Sequence, residues 1–129
     1  MTEREFLPLP IAVLTVSDTR TEADDASGQT LVDRLLAAGH RLAGRAIVPD
    51  DIYRIRAVIS AWIADPAVHI ALITGGTGMT GRDSTPEAIR PLLDKEIDGF
   101  GELFRMLSWE EIGTSTLQSR ALGGLANAT

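Results

Sequence analysis

Three short apolar runs alternate with amphipathic stretches over the first half of the chain. Ile11 to Val16 is apolar apart from Thr15 and has the length of a strand. Val68 to Ile73 is short, β-branched and without alternation, the pattern of a parallel strand covered on both faces. His40 to Val48 is more mixed, and the interruptions at Arg41 and Arg45 predict a strand nearer an edge of the sheet. Between the first two strands, Ser27-Gly28-Gln29 opens a helix whose apolar stripe is Leu31, Val32, Leu35 and Leu36, with Gly39 as its stop. Pro49-Asp50-Asp51 opens a second helix, in which Ile52, Ile55, Ile59 and Ile63 recur at three- and four-residue spacing and Val58 and Trp62 broaden the face; Asp65-Pro66 ends it. The order β-α-β-α-β predicts an α/β domain of parallel strands joined by right-handed crossovers.

Beyond Ile73 the apolar run breaks into Thr74-Gly75-Gly76-Thr77-Gly78-Met79-Thr80-Gly81-Arg82-Asp83-Ser84, and Thr85-Pro86-Glu87 then supplies an N-cap, a proline at the first helical position and an acid in the first turn. The pattern from there on is helical throughout. A segment from Pro86 to Lys95 is short or kinked at Pro91. Leu103, Phe104, Met106, Leu107 and Trp109 form an apolar helical face after Gly99-Phe100-Gly101, ending near Gly113. That face is read as core or as subunit interface, and the glycines before it favour an interface. Thr114-Ser115-Thr116 is expected to cap a last helix carrying Leu117, Ala121 and Leu122, with Gly123-Gly124 as its end.

Composition narrows the class without changing this picture. At 129 residues, 44% apolar and 23% charged, the chain is expected to be one globular domain. No apolar run approaches the roughly 20 residues of a membrane span, and the charged start Met1-Thr2-Glu3-Arg4-Glu5 is unlike a signal peptide, so a cytoplasmic protein is expected. The absence of cysteine excludes disulfides and thiolate metal sites. A net charge of −6 argues against a general nucleic-acid binder, while leaving room for a small anion held by backbone amides and one or two arginines.

The glycine loop is where such an anion belongs. Strand, glycine-rich loop and helix start together turn backbone N–H groups onto a ligand without Cβ atoms in the way. Gly76-Thr77-Gly78-Met79-Thr80-Gly81 matches the G-x-G-x-x-G pattern literally, but it follows the third strand and no acid-ended strand comes after it, which counts against a dinucleotide site. A phosphate loop of the Walker type fails too, because Arg82-Asp83 stands where Lys-Ser/Thr is required. Asp83 would repel a bare anion, so it reads either as a Mg²⁺ ligand or as a helix cap. Asp50 is at the carboxyl end of a strand, on the edge where ligands of open α/β sheets collect; Asp51 suits the cap of the following helix better. Ser17-Asp18-Thr19-Arg20 ends another strand on that edge. His40 and His69 have no partner pattern and read as strand-surface residues.

Thr74-Gly75-Gly76-Thr77-Gly78, followed by Arg82-Asp83-x-Thr85-Pro86-Glu87-Ala88, resembles the signature of the MoaB/MogA family of molybdenum cofactor biosynthesis proteins, whose fold recurs in the gephyrin G domain. Leu14-Thr15-Val16-Ser17-Asp18, Asp25-x-Ser27-Gly28, Trp62-Ile63-Ala64, Gly99-Phe100-Gly101-Glu102-x-Phe104-Arg105 and Ser108 to Ala121 fit as well, and Glu111 to Ala121 is similar to the MoaB branch. The resemblance implies a three-layer α/β/α sandwich with a mostly parallel sheet, spanning 1–129 as a single domain. It also implies a further apolar strand and a Leu-Pro-Gly-Ser/Gln-type loop that relatives carry beyond the position of Thr129. The implied activity is molybdopterin adenylyl transfer, in which the pterin phosphate attacks the α-phosphate of MgATP and pyrophosphate leaves. A non-catalytic pterin-binding or scaffold member is the alternative. The family's two functional aspartates fall on Asp50 and Asp83, the catalytic and Mg²⁺-binding pair. Substrate binding is expected from Ser17, Asp18, Thr74, Gly75, Gly76, Thr77, Gly78, Thr85, Pro86, Glu87, Ser119 and Arg120, with Arg120 as a phosphate contact. Assembly as a homo-trimer or homo-hexamer is implied as well.

Overall fold

A computed structural model describes residues 5–78 and 82–129; Met79, Thr80 and Gly81 of the glycine-rich pattern, and Met1 to Arg4 of the start, lie outside the described residues. Strand β1 (Pro10–Val16) is followed by helix α1 (Ala26–Ala37), β2 (Arg41–Val48), α2 (Ile52–Ala64) and β3 (Ile70–Thr74). The three strands form a parallel sheet in the order β2-β1-β3. β1 is central because its side chains are apolar on both faces: Ile11 and Val13 meet Val32 and Leu35 of α1, while Leu14 and Val16 pack with Ile55 and Ile59 of α2 and with Ala88 and Ile89. β2, with its two arginines, takes an edge as its pattern predicts. The result is a three-layer α/β/α arrangement.

Register decides where the loops emerge. Val16 lies opposite Val48, and Thr15 opposite Thr74, so all three strands end together at their carboxyl edge. The segments beginning at Ser17, Pro49 and Gly75 therefore leave the sheet side by side. Asp51 caps α2, accepting the Tyr53 and Arg54 N–H groups at 2.9 and 3.0 Å. α1 starts one residue earlier than expected because Asp25 is its cap, with its carboxylate on the Gly28 N–H at 3.0 Å.

The second half departs from the helical expectation. α3 (Thr85–Ile89) is a five-residue helix that tightens into a 3₁₀ turn at Arg90–Leu92, where Pro91 removes a donor. Its N-cap position is Ser84, neither Thr85 nor Asp83. Two short strands, β4 (Lys95–Glu96) and β5 (Gly124–Leu125), then pair antiparallel on either side of α4 (Asp98–Ile112). The last helix expected from Thr114 to Leu122 does not form. Gly113, at φ 62 and ψ −132, ends α4, a 3₁₀ turn covers Gly113–Gln118, and residues 119–123 run without regular structure. These residues spend their backbone groups on distant partners instead: Arg120 N–H donates to the Thr77 carbonyl, and the Gly123 carbonyl accepts from Ile97. The face of α4 carrying Phe100, Leu103, Phe104, Met106, Leu107, Trp109 and Ile112 is exposed. Among the described residues, no helix is long and apolar enough to cross a membrane.

Candidate functional site

The carboxyl edge gathers the glycine loop, the end of β1 and the end of β2. Gly75 has φ +98, and a Cβ there would lie 2.2 Å from the Val16 carbonyl oxygen of β1. Gly76 has φ +67, and its Cβ would come within 2.3 Å of Thr85 Oγ1 and 3.1 Å of Asp50 Oδ2. Both glycines are thus demanded by backbone conformation and close packing. Thr85 fastens the loop from below: its hydroxyl donates to the Gly75 carbonyl at 2.8 Å and its N–H to the Gly76 carbonyl at 2.9 Å. Thr85 and Pro86 are buried in doing so.

Asp50 and Asp83 flank this loop. Asp50 is buried, and its Oδ1 accepts the Ser84 N–H at 2.8 Å while Oδ2 faces Gly76. It does not cap α2; it reaches from the end of β2 to the chain entering α3. The Asp83 carboxylate lies against Gly78, 2.7 Å from where a Cβ would stand. Among the described residues no group of three or more acids and histidines converges to hold a metal by itself. Two hard carboxylates beside an anion loop still suit Mg²⁺, which binds through one or two carboxylates and completes its shell with water and substrate phosphates.

Asp18 has a double role. It accepts the Asp50 N–H at 3.0 Å and both arms of the Arg82 guanidinium at 2.5 and 3.2 Å. The Arg82 hydrogen bonds, then the Asp50 N–H, hold the Asp18 carboxyl below its ordinary range, and Asp18 in turn raises the Arg82 pKa. Ser17 turns its hydroxyl to the Thr19 and Arg20 N–H groups, shaping the loop after β1. Thr74 ends β3 opposite Thr15.

Arg120 and Ser119 arrive from the other half of the chain. Every guanidinium nitrogen of Arg120 donates to protein: Nε to the Gly78 carbonyl at 2.6 Å, one terminal nitrogen to the Asp83 carbonyl, the other to Glu87 Oε1. That arginine holds the Glu87 carboxyl below its usual range. Arg105 of α4 donates to the carbonyls of Ser119 and Ala121, at 3.4 and 3.3 Å, and keeps this segment in place. Beside it opens a cavity of about 440 Å³, lined among others by Pro86, Arg90, Glu102, Arg105, Ser119 and Arg120. The apolar groove of about 280 Å³ along β3 and Leu93 is far less polar in its lining.

Three supporting residues escape a reading of sequence. Arg56 of α2 donates to the Glu87 and Ala88 carbonyls at 3.0 Å each and steadies the end of α3. Arg82 and Arg45 find their acids 64 and 20 positions away. Only the Asp25-x-Ser27-Gly28 spacing carries a local hint, since Asp25 is the cap that Gly28 must approach. His40 accepts the Leu9 N–H through Nδ1, and His69 donates its N–H to Pro10, both outside the site.

Comparison with known proteins identifies the family of the chain. Residues 12–127 match the family model described as "Probable molybdopterin binding domain". Over 125 residues the chain is 59% identical to Molybdenum cofactor biosynthesis protein B of Escherichia coli (strain K12), covering 97% of this chain and 74% of that protein. A crystal structure of a Molybdenum cofactor biosynthesis protein B superposes with a TM-score of 0.91 at 47% identity, over 95% of this chain and 77% of the other. The tungsten cofactor synthesizing protein MoaB from Pyrococcus furiosus superposes at 0.79 with 38% identity, over 92% and 74%. The chain belongs to the MoaB/MogA family of molybdenum cofactor biosynthesis proteins.

Proposed function

We propose that the protein is a molybdopterin adenylyltransferase, joining AMP from MgATP to the phosphate of molybdopterin with release of pyrophosphate. The observation that carries this reading is the pair of carboxylates set against the glycine loop, Asp50 at Gly76 and Asp83 at Gly78, on the shared carboxyl edge of parallel strands. Adenylyl transfer needs positioning and charge neutralisation more than a protein nucleophile, and the loop offers backbone amides where the carboxylates offer metal ligands. Mg²⁺ bound by Asp50 and Asp83 would neutralise the charge on the triphosphate. The triphosphate lies along Thr74 to Gly78, with Ser17 and Asp18 bordering it. The pterin occupies the cavity of about 440 Å³ beside Pro86, Ser119 and Arg120, within the size range of small-molecule sites. The exposed apolar face of α4 is where copies of the chain meet in a homo-trimer or homo-hexamer.

The test is to incubate the protein with molybdopterin and MgATP and follow pyrophosphate release and the adenylylated pterin. Asp83→Asn is expected to lower turnover by roughly 100-fold or more, the scale of losing one aligned electrostatic group, while pterin affinity stays within a few-fold. Tight pterin binding by the unaltered protein with no pyrophosphate released would replace this reading by a pterin-binding or scaffold role.

A further inference from the structure

Four successive carbonyls of the glycine loop are each held by a donor from another segment. Gly75 and Gly76 give theirs to Thr85, Thr77 gives its to the Arg120 N–H, and Gly78 gives its to Arg120 Nε. The peptide bonds are trans, and in a planar trans peptide C=O and N–H point in opposite directions. The N–H groups of Gly76 and Thr77 are therefore turned away from Thr85, and that of Gly78 from the Arg120 backbone N–H. The peptide between Asp83 and Ser84 is gripped at both ends, its carbonyl by Arg120 and its N–H by Asp50. One guanidinium thus orients peptides on both limbs of the loop, and Glu87 holds that guanidinium in place.

We infer that Arg120 is a positioning residue for this site, with Glu87 as its anchor: its guanidinium ties the Gly78 carbonyl to the Asp83–Ser84 peptide that Asp50 holds from the other side, and does not itself bind the phosphate. The inference rests on the adenylyl-transfer reading for the identity of the ligand, but its geometry is independent of it. A planar fork reaching three oxygens at once is something arginine provides and lysine does not.

The two roles open to Arg120 predict opposite signs at Glu87. If Arg120 bound the phosphate, Glu87→Gln would free a cation and tighten MgATP binding. As a positioning residue, it loses its anchor, and MgATP binding weakens by about tenfold, the worth of one charge-assisted hydrogen bond. The experiment measures MgATP affinity by calorimetry and exchange of the Ser84 amide proton by NMR, in the unaltered protein, Glu87→Gln and Arg120→Lys. Expected are weaker binding and faster Ser84 exchange in both variants, with no rescue by lysine and an unfolding midpoint for Glu87→Gln close to the parent's. Tighter MgATP binding by Glu87→Gln, or unchanged Ser84 exchange in Arg120→Lys, would overturn the inference. Should the unaltered protein fail to bind MgATP, the adenylyl-transfer reading fails instead, and Ser84 exchange alone decides the role of Arg120.

Discussion

Asp25 and Asp18 both lie beyond the end of β1 and both hold an arginine, yet their surroundings differ in every respect that sets energy. The Asp25 side chain is 1% exposed and that of its partner Arg45 13%; for Asp18 and Arg82 the figures are 42% and 65%. Asp25 is satisfied from all sides, by the Thr15 hydroxyl at 2.7 Å, the Gly28 N–H and Arg45. Burial alone would raise its pKa, but these three partners together outweigh burial and lower it. Asp18 is half-exposed and ties the loop after β1 to the Asp50 N–H and to Arg82. The first cluster locks β1, β2 and α1 into one body. The second borders the glycine loop and leaves its charges open to solvent. Arginine–aspartate pairing alone does not tell the two apart; solvent does.

Substitutions can sharpen that contrast, and the largest effect is expected between the clusters. Gly75→Ala places a Cβ on the Val16 carbonyl oxygen at a φ of +98, so it should lower stability by more than about 3 kcal/mol, read from urea unfolding. Asp25→Asn should follow at about 3 kcal/mol near neutral pH, because it removes the buried counter-charge of Arg45 and leaves only the exposed Glu22, at 3.9 Å. Its sign with pH is fixed by the lowered carboxyl: the folded-state value lies below the unfolded one, so the ionised group stabilises fully above the unfolded value. That contribution fades as pH falls through the folded value. The deficit of Asp25→Asn should therefore shrink on acidification below about pH 4, measured by unfolding midpoints across that range. Asp18→Asn should be the mildest, leaving the urea midpoint where the parent's is, because the pair it breaks is exposed. If Asp18→Asn destabilised the fold as much as Asp25→Asn, the contrast between the clusters would collapse.

The same division explains what could be read from sequence. β1 and β3 are legible as short unbroken apolar runs, α1 and α2 as periodic apolar faces and β2 as a mixed run at an edge, and all of these signals are local. Asp50, Asp18 and the glycine loop share one sheet edge because parallel strands in aligned register must end together. Within residues 90–129, α4 is legible from its apolar face up to Gly113, and the rest resists such reading. β4 and β5 are two residues each, too short for any period, and the helix expected across Leu117, Ala121 and Leu122 lost to hydrogen bonds with Thr77 and Arg105. In sequence the resemblance gives Arg120 as a phosphate contact, and nothing local points to its partner at Gly78, 42 positions away.

The central place of β1 also bears on how the chain reaches this structure. β1 pairs with β2 through one connecting helix, but its pairing with β3, Ile11 opposite Ile70, closes a loop of roughly sixty residues, a larger entropic step. The β1-α1-β2 unit can thus form early, with Asp25 and Arg45 already inside it. On that order Asp50 would meet Ser84 only after β3 has docked, and Arg120 would reach Gly78 later still, because the segment that carries it has no regular structure of its own to form first. The glycine loop would then be the last part of the molecule to take shape in folding and the first to loosen in unfolding.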